Sequence, residues 1–108
     1  MKFLVLSYGA EDDWLALSDA ERRALLAQDE VLERRGDFVA PLENRVVTVR
    51  SPDARTTVEP APFAASSKPL AGFGIIEAEA IEEVVGLVEG SPCARAGGAV
   101  EIRPFYGS

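Results

Sequence analysis

The last apolar segment of the chain carries a glutamate and an arginine two positions apart. Alternate side chains of a β-strand point to the same face, so a strand through this segment would place Glu101 and Arg103 side by side. An arginine held beside a carboxylate can bind an anionic ligand. A surface ion pair or a contact with a partner is the alternative interpretation of the same two residues.

Three aromatic residues are candidates for the wall of a ligand pocket. Tyr8 ends the first apolar segment, Trp14 follows a short polar stretch, and Phe63 lies in a proline-rich stretch. Aromatic side chains commonly line pockets for apolar or aromatic ligands. Packing within the core is the alternative role for the first two.

Two further basic residues and the single cysteine complete the set of chemically interesting side chains. Lys68 could act as a base or form a Schiff base in an apolar pocket, or it could be a solvated loop lysine. Arg95 could reach a carboxylate or a phosphate, or it could cap the C-terminus of a helix. Cys93 has no histidine to activate it, so we expect a small buried residue there.

The chain contains no histidine, which removes the commonest general base and the commonest metal ligand. One cysteine excludes an intrachain disulfide, and the chain lacks the cysteine and histidine set of a zinc site. No metal and no cofactor are therefore expected. The remaining acid–base candidates are Tyr8, Asp12, Glu43, Glu59 and Glu101. The sequence gives none of them a partner, so the catalytic residues and the enzyme status stay open.

Length and charge limit the classes of protein that fit. The 108 residues suffice for one domain, spanning 1–108, and for a modest core. The net charge of -7 argues against nucleic-acid binding, which needs a basic patch. No apolar run approaches the roughly 20 residues of a membrane span, and the apolar start is interpreted as a strand, not as a targeting segment. We therefore expect a cytoplasmic protein.

Hydrophobic periodicity and turn residues predict the elements that must position these side chains. Ser18 and Glu21 have the spacing of a capping box, and Gly36 ends the helix that follows. The predicted helices are 18–35 and 79–89, with a short turn at 91–95, and residues 9–13 are expected to form a loop. The predicted strands are 2–8, 38–42, 45–50, 56–58, 70–78 and 99–105, with 56–58 paired on the strand before it as a hairpin.

Strands divided by two helices in this order predict an α+β ferredoxin-like sandwich. Both helices would cover one face of the sheet, and the other face would still carry apolar side chains from the strands. A bare apolar sheet face on a small protein indicates a partner surface. A homodimer that packs two open sheet faces together, forming a dimeric α/β barrel, is the simplest solution.

Three stretches, taken together and in order, resemble the YCII-related proteins and within them the DGPF-domain branch. The first is Met1 to Gly9 followed by Trp14 and Ser18, the second is Pro62 to Ala64 followed by Leu70, Gly72 and Phe73, and the third is Pro92 and Ala94 to Pro104. The resemblance covers nearly the whole chain. At the motif that names the branch, this chain has Pro60, Ala61, Pro62 and Phe63 in place of Asp-Gly-Pro-Phe.

The resemblance implies a dimeric α/β barrel and relatives among small enzymes of aromatic catabolism. The histidine–aspartate pair proposed for the family core cannot exist in a chain without histidine. The resemblance also implies a link to extracytoplasmic-function sigma factors. The degenerate segment 60–69 is expected to be a hairpin or a flap that closes one side of a pocket.

Two functions of different classes follow. The first is a homodimeric small-molecule-binding protein, or a cofactor-free enzyme, acting on a small aromatic or anionic compound. Its predicted ligand-binding residues are Tyr8, Trp14, Phe63, Lys68, Arg95, Glu101 and Arg103. Four of them should converge on one cleft: Tyr8, Phe63, Glu101 and Arg103. The alternative is a non-catalytic interaction module that regulates a partner such as an extracytoplasmic-function sigma factor.

Overall fold

The computed structural model describes residues 1–107, and these residues form six strands and four α-helices. The strands are β1 (Lys2–Tyr8), β2 (Phe38–Pro41), β3 (Thr48–Arg50), β4 (Thr57–Glu59), β5 (Leu70–Glu77) and β6 (Ala99–Pro104). The helices are α1 (Glu11–Leu15), α2 (Asp19–Arg35), α3 (Ile81–Val88) and α4 (Pro92–Arg95). A short 3-10 turn, Pro52–Ala54, lies between β3 and β4.

Four of the strands form an antiparallel sheet in the order β2-β5-β1-β6. With α2 after β1 and α3 after β5, the chain follows the β-α-β-β-α-β connectivity of the ferredoxin-like motif. The expected α+β architecture is thereby confirmed. The two central strands, β1 and β5, pair with each other in the longest ladder of the sheet. The C-terminal residue of β1, Tyr8, lies opposite Ala99 of β6.

Local signals explain the limits of the long helix α2. The Ser18 hydroxyl accepts from the Glu21 backbone N–H, and the Glu21 carboxylate accepts from the Ser18 backbone N–H. These hydrogen bonds lower the pKa of Glu21. Gly36 ends the helix with a φ of 87°, a left-handed conformation that glycine adopts without strain. In the described part of the chain, no helix is both long enough and apolar enough to cross a membrane.

The helices cover one face of the sheet. Along β1, Phe3 and Val5 are 1% and 4% exposed, whereas Leu4 and Leu6, which alternate with them, are only half-buried. The core joins strand residues to residues of α2 and α3, namely Phe3, Val5, Leu32, Ile76, Ala78, Val84 and Val88. This alternation shows that Phe3 and Val5 face the helices.

The opposite sheet face, here called the open face, carries its own apolar side chains. The register places Leu4, Leu6, Phe38, Phe73 and Ile75 on it. The rings of Phe38 and Phe73 have centroids 5.6 Å apart, and Phe38 is 56% exposed. The open face therefore presents an apolar surface to solvent in the single chain.

Strands β3 and β4 form a separate two-stranded sheet, here called the arm. Val49 and Val58, which pair across the arm, are each 61% exposed. The molecule measures 50 × 37 × 19 Å and has a radius of gyration of 15.7 Å, compared with about 13 Å for a compact domain of this length. The arm is thus an extension from the core and not part of it.

Three of the expected elements differ from the structure. The segment 9–13 is not a simple loop, because α1 begins at Glu11, and its first turn is acidic, which suits a helix N-terminus. The strand predicted at 45–50 begins only at Thr48, although its hairpin with β4 is present. The segment 60–69 contains no strand, so the hairpin expected there is wrong.

Candidate functional site

A cleft of about 360 Å³ lies at one end of the open face. It forms where the C-terminal end of β1, strand β6 with the two glycines before it, and the segment 64–68 meet. Its polar and aromatic lining residues are Tyr8, Ser66, Ser67, Lys68, Glu101 and Arg103. We call it the open-face cleft.

Strand β6 supplies the acidic and basic pair of the cleft. Glu101 and Arg103 lie opposite Leu6 and Leu4 of β1, so both side chains are on the open face. The Arg103 Nε donates to Glu101 Oε1 at 3.0 Å. This hydrogen bond, the charge of Glu101 and, less strongly, the Tyr8 phenol raise the pKa of Arg103. Arg103 therefore stays charged beside Tyr8 and keeps its remaining N–H donors available.

The segment before β5 supplies a second cation, which is held by a residue of α1. Lys68 Nζ donates to Asp13 Oδ2 at 2.6 Å, and both side chains are one-third exposed. Asp13 also lies against Gly97, where an added Cβ would be 3.3 Å from Asp13 Oδ2. The ion pair thus ties the segment 64–68 to α1 and fixes the lysine at the mouth of the cleft.

The charges of the open-face cleft are balanced. Two cations, Lys68 and Arg103, are each paired with one carboxylate, from Asp13 and Glu101. An ammonium has three N–H donors and a guanidinium five, so both retain donors after these contacts. The cleft can therefore offer hydrogen-bond donors and acceptors together, beside the aromatic ring of Tyr8.

Asp13 is the residue of this arrangement that sequence reasoning missed. It is 55 positions from Lys68, in a segment whose sequence predicts a loop, so no local spacing relates the two residues. The acidic residues 11–13 next to Trp14 are the only signal of a helix N-terminus at that place. If α1 were predicted from this acidic stretch, its first turn would place a carboxylate near the end of β1.

The structure brings some of the expected ligand-binding residues together and separates others. Tyr8, Lys68, Glu101 and Arg103 line the open-face cleft. Trp14 lines a different cavity, on the side of the sheet that the helices cover. Arg95 Nε donates to the Glu89 backbone carbonyl at 3.0 Å, which makes it a cap for the end of α3.

Phe63 is 79% exposed and lines none of the cavities described here. Its neighbours Pro62 and Ala64 line a further cavity of about 600 Å³ beside Tyr8 and Leu70. The proline-rich segment 60–69 therefore forms a wall between two cavities without forming a strand. Its contribution to the open-face cleft comes from Ala64 to Lys68.

Comparison with solved structures shows a protein of the same fold. The chain is similar to 5-chloro-2-hydroxyhydroquinone dehydrochlorinase (TftG) from Burkholderia phenoliruptrix AC1100, solved in complex with 2,5-dihydroxybenzoquinone. The two share 22% identity with a TM-score of 0.54, over 97% of this chain and 93% of that one. At this identity the likeness concerns the fold alone.

Among curated proteins, no match was found. The YCII-related domain, in contrast, matches residues 1–106, almost the full length. The stretches singled out in the sequence all lie within that range, from the first strand to the run ending at Pro104. This chain is a member of the YCII-related family.

Proposed function

We propose that the protein binds a small hydroxylated or anionic aromatic compound in the open-face cleft, as a homodimer. One observation carries the proposal: three separate segments of the chain place Tyr8, Lys68 and Arg103 around the same cleft. If each of these residues had only a structural role, the three side chains would not need to line the same cleft. The proposal concerns binding, and it assigns no catalytic step.

The balanced charges favour a ring with several oxygen substituents over a simple anion. Hydroxyl groups of such a ring can donate to Glu101, and hydroxyl, carbonyl or phenolate oxygens can accept from Lys68 or Arg103. The Tyr8 ring offers an apolar face for the ligand ring. A simple anion would gain less, because both cations already have a carboxylate partner.

The homodimer part of the proposal rests on surface area. One chain exposes 7623 Å², whereas a compact monomer of this mass exposes about 5,800 Å². A standard interface removes about 800 Å² from each partner. Packing the open faces together, as in a dimeric α/β barrel, would cover Phe38 and its apolar neighbours.

We also propose membership of the DGPF branch, with Pro60 to Phe63 as a degenerate form of its motif.

The exposed arm favours one second candidate, an interaction module for a protein partner such as an extracytoplasmic-function sigma factor. Val47, Val49 and Val58 are 57 to 61% exposed, and Phe63 beside the arm is 79% exposed. Exposed apolar side chains grouped in this way mark contact surfaces. Loss of a co-purifying sigma factor on Val58→Ser would favour this candidate over the first.

Calorimetric titration with 2,5-dihydroxybenzoquinone tests the first proposal. The compound suits the cleft because it is a small planar ring with four oxygen substituents. We expect Arg103→Gln to weaken binding about five-fold, a modest loss because the arginine side chain is two-thirds exposed. Arg23→Gln, an exposed arginine of α2, is the matched control and should bind like the natural chain.

Equal affinities of the Arg103→Gln and Arg23→Gln proteins would contradict the proposal. So would the absence of binding by the natural chain at millimolar concentrations of the compound. Thermal unfolding of both variants checks that any loss of affinity reflects the missing guanidinium and not a loss of fold.

A further inference from the structure

A second recess lies on the side of the sheet that the helices cover. It consists of two cavities, of about 280 and 320 Å³, which share four lining residues: Asp29, Ala71, Pro92 and Cys93. Helices α2 and α4 form one side, and residues of β1, β2 and β5 form the other. We call it the helix-side groove, and none of its lining residues belongs to the open-face cleft.

The walls of the helix-side groove are apolar and acidic. Trp14, Leu26 and Leu42 line the larger cavity. The charged lining residues of the two cavities are Glu11, Asp29 and Glu33, and no lysine or arginine is among them. This composition differs from that of the open-face cleft, where Lys68 and Arg103 lie beside Glu101. The groove therefore favours a cation with an apolar body.

Asp29 is the carboxylate at the centre of the groove, since it lines both cavities. Its side chain is half-buried, and within residues 1–107 it takes part in no hydrogen bond or ion pair. Burial, and secondarily the charge of Glu33, raise the pKa of Asp29. A half-buried carboxylate without a counter-ion is costly, and a bound cation would offset that cost.

Ser91 provides an independent sign of a missing hydrogen-bond partner in the smaller cavity. It occupies the N-cap position of α4 with extended backbone angles, φ -73° and ψ 159°, yet its side chain makes no capping hydrogen bond. The residue is 9% exposed, and its Oγ is fully buried without any partner in the described structure. Buried hydroxyls are normally hydrogen-bonded, so this atom is suited to a bound group.

We infer that the helix-side groove binds a small protonated amine with an aromatic or alkyl body. The ammonium group donates to the Asp29 carboxylate and to Ser91 Oγ in the smaller cavity, and the apolar body lies against Trp14 in the larger one. Three N–H donors of a primary ammonium suffice for both contacts. The inference concerns a different site from the open-face cleft and does not depend on the function proposed for it.

Titration calorimetry with phenethylamine at neutral pH tests the inference. We expect Asp29→Asn to weaken binding about ten-fold, because a charge-assisted hydrogen bond is lost. Phenylacetate, with the same ring and the opposite charge, should bind at least ten-fold more weakly than phenethylamine. The matched control is Glu30→Gln, which removes one acidic charge from the exposed face of α2 and should leave the affinity unchanged.

Ser91→Ala separates a ligand contact from a structural one. Because its hydroxyl has no partner in the free protein, the substitution should leave the thermal midpoint unchanged or raise it, while weakening phenethylamine binding about three-fold. Equal binding of the two ring compounds, or no binding of phenethylamine at millimolar concentrations, would overturn the inference. So would an affinity that neither Asp29→Asn nor Ser91→Ala changes.

Discussion

Gly98 determines how closely the start of β6 can approach the end of β1. A Cβ at this position would overlap the Tyr8 carbonyl oxygen and lie 2.8 Å from the Cys93 carbonyl oxygen. Both neighbours are backbone atoms, which cannot rotate away as a flexible side chain would. The glycine is therefore required for the geometry that places Tyr8 beside Glu101 and Arg103 in the open-face cleft.

Gly98→Ala should lower the free energy of unfolding by about 2 to 3 kcal/mol, because the added methyl group forces the two backbones apart. Gly86→Ala is the matched control. Gly86 lies in α3 with no atom within 4 Å of an added Cβ, so the change should raise stability by about 0.5 to 1 kcal/mol. Urea unfolding measures both. A Gly98→Ala protein as stable as the Gly86→Ala protein would show that β6 can shift without cost.

The sequence predicts side-chain relations that depend on spacing within one element, and it misses those that depend on the fold. Glu101 and Arg103 are on one face because a strand alternates, and the structure places them so. Lys68 lines the same cleft, and the carboxylate that holds it there belongs to Asp13, which is distant along the chain. Trp14 lies in the helix-side groove because α1 carries it there, and no spacing in the sequence shows that helix.

At the scale of elements, strong local signals led to accurate predictions. The helix expected at 18–35 is α2, Asp19–Arg35, because a capping box and a left-handed glycine define both of its ends. The helix expected at 79–89 is α3, Ile81–Val88, and the strand expected at 70–78 is β5, Leu70–Glu77. A five-residue helix such as α1 is too short for hydrophobic periodicity to reveal.

The segment 60–69 shows why a strand can fail to form where a resemblance implies one. Pro60, Pro62 and Pro69 have no backbone N–H, so they cannot donate to a sheet ladder. The hairpin of β3 and β4, which the sequence predicts separately, lies just before this segment. What remains of the expected flap is the wall that Ala64 to Lys68 contribute to the open-face cleft.

At the scale of the whole molecule, a single chain exposes a large surface, which includes apolar side chains of the open face. Its accessible surface is larger than that of a compact monomer of the same mass, and the difference is greater than the area that a standard interface buries. Phe38 on the open face is 56% exposed. The open-face cleft lies at one end of this same face. A second copy packed on the open face would therefore also shape the mouth of the cleft.

Size-exclusion chromatography with light scattering should give twice the 11.6 kDa mass of one chain. Phe38→Asp should shift the mass to that of a monomer, because it buries a charge in the proposed interface. Val85→Asp is the control, since Val85 is 46% exposed on α3 on the other side of the sheet, and it should remain dimeric. A natural chain that elutes as a monomer at micromolar concentrations would contradict the dimer.

The central claim is that Tyr8, Lys68 and Arg103 form one ligand site. Amide chemical shifts recorded during a titration of the isotope-labelled protein with 2,5-dihydroxybenzoquinone test it most directly. The claim predicts that the largest changes occur at Tyr8, at Ser66 to Lys68 and at Ala99 to Arg103, in the three segments that line the open-face cleft. Largest changes at Asp29 and Cys93 in the helix-side groove, or no changes at millimolar ligand, would contradict it.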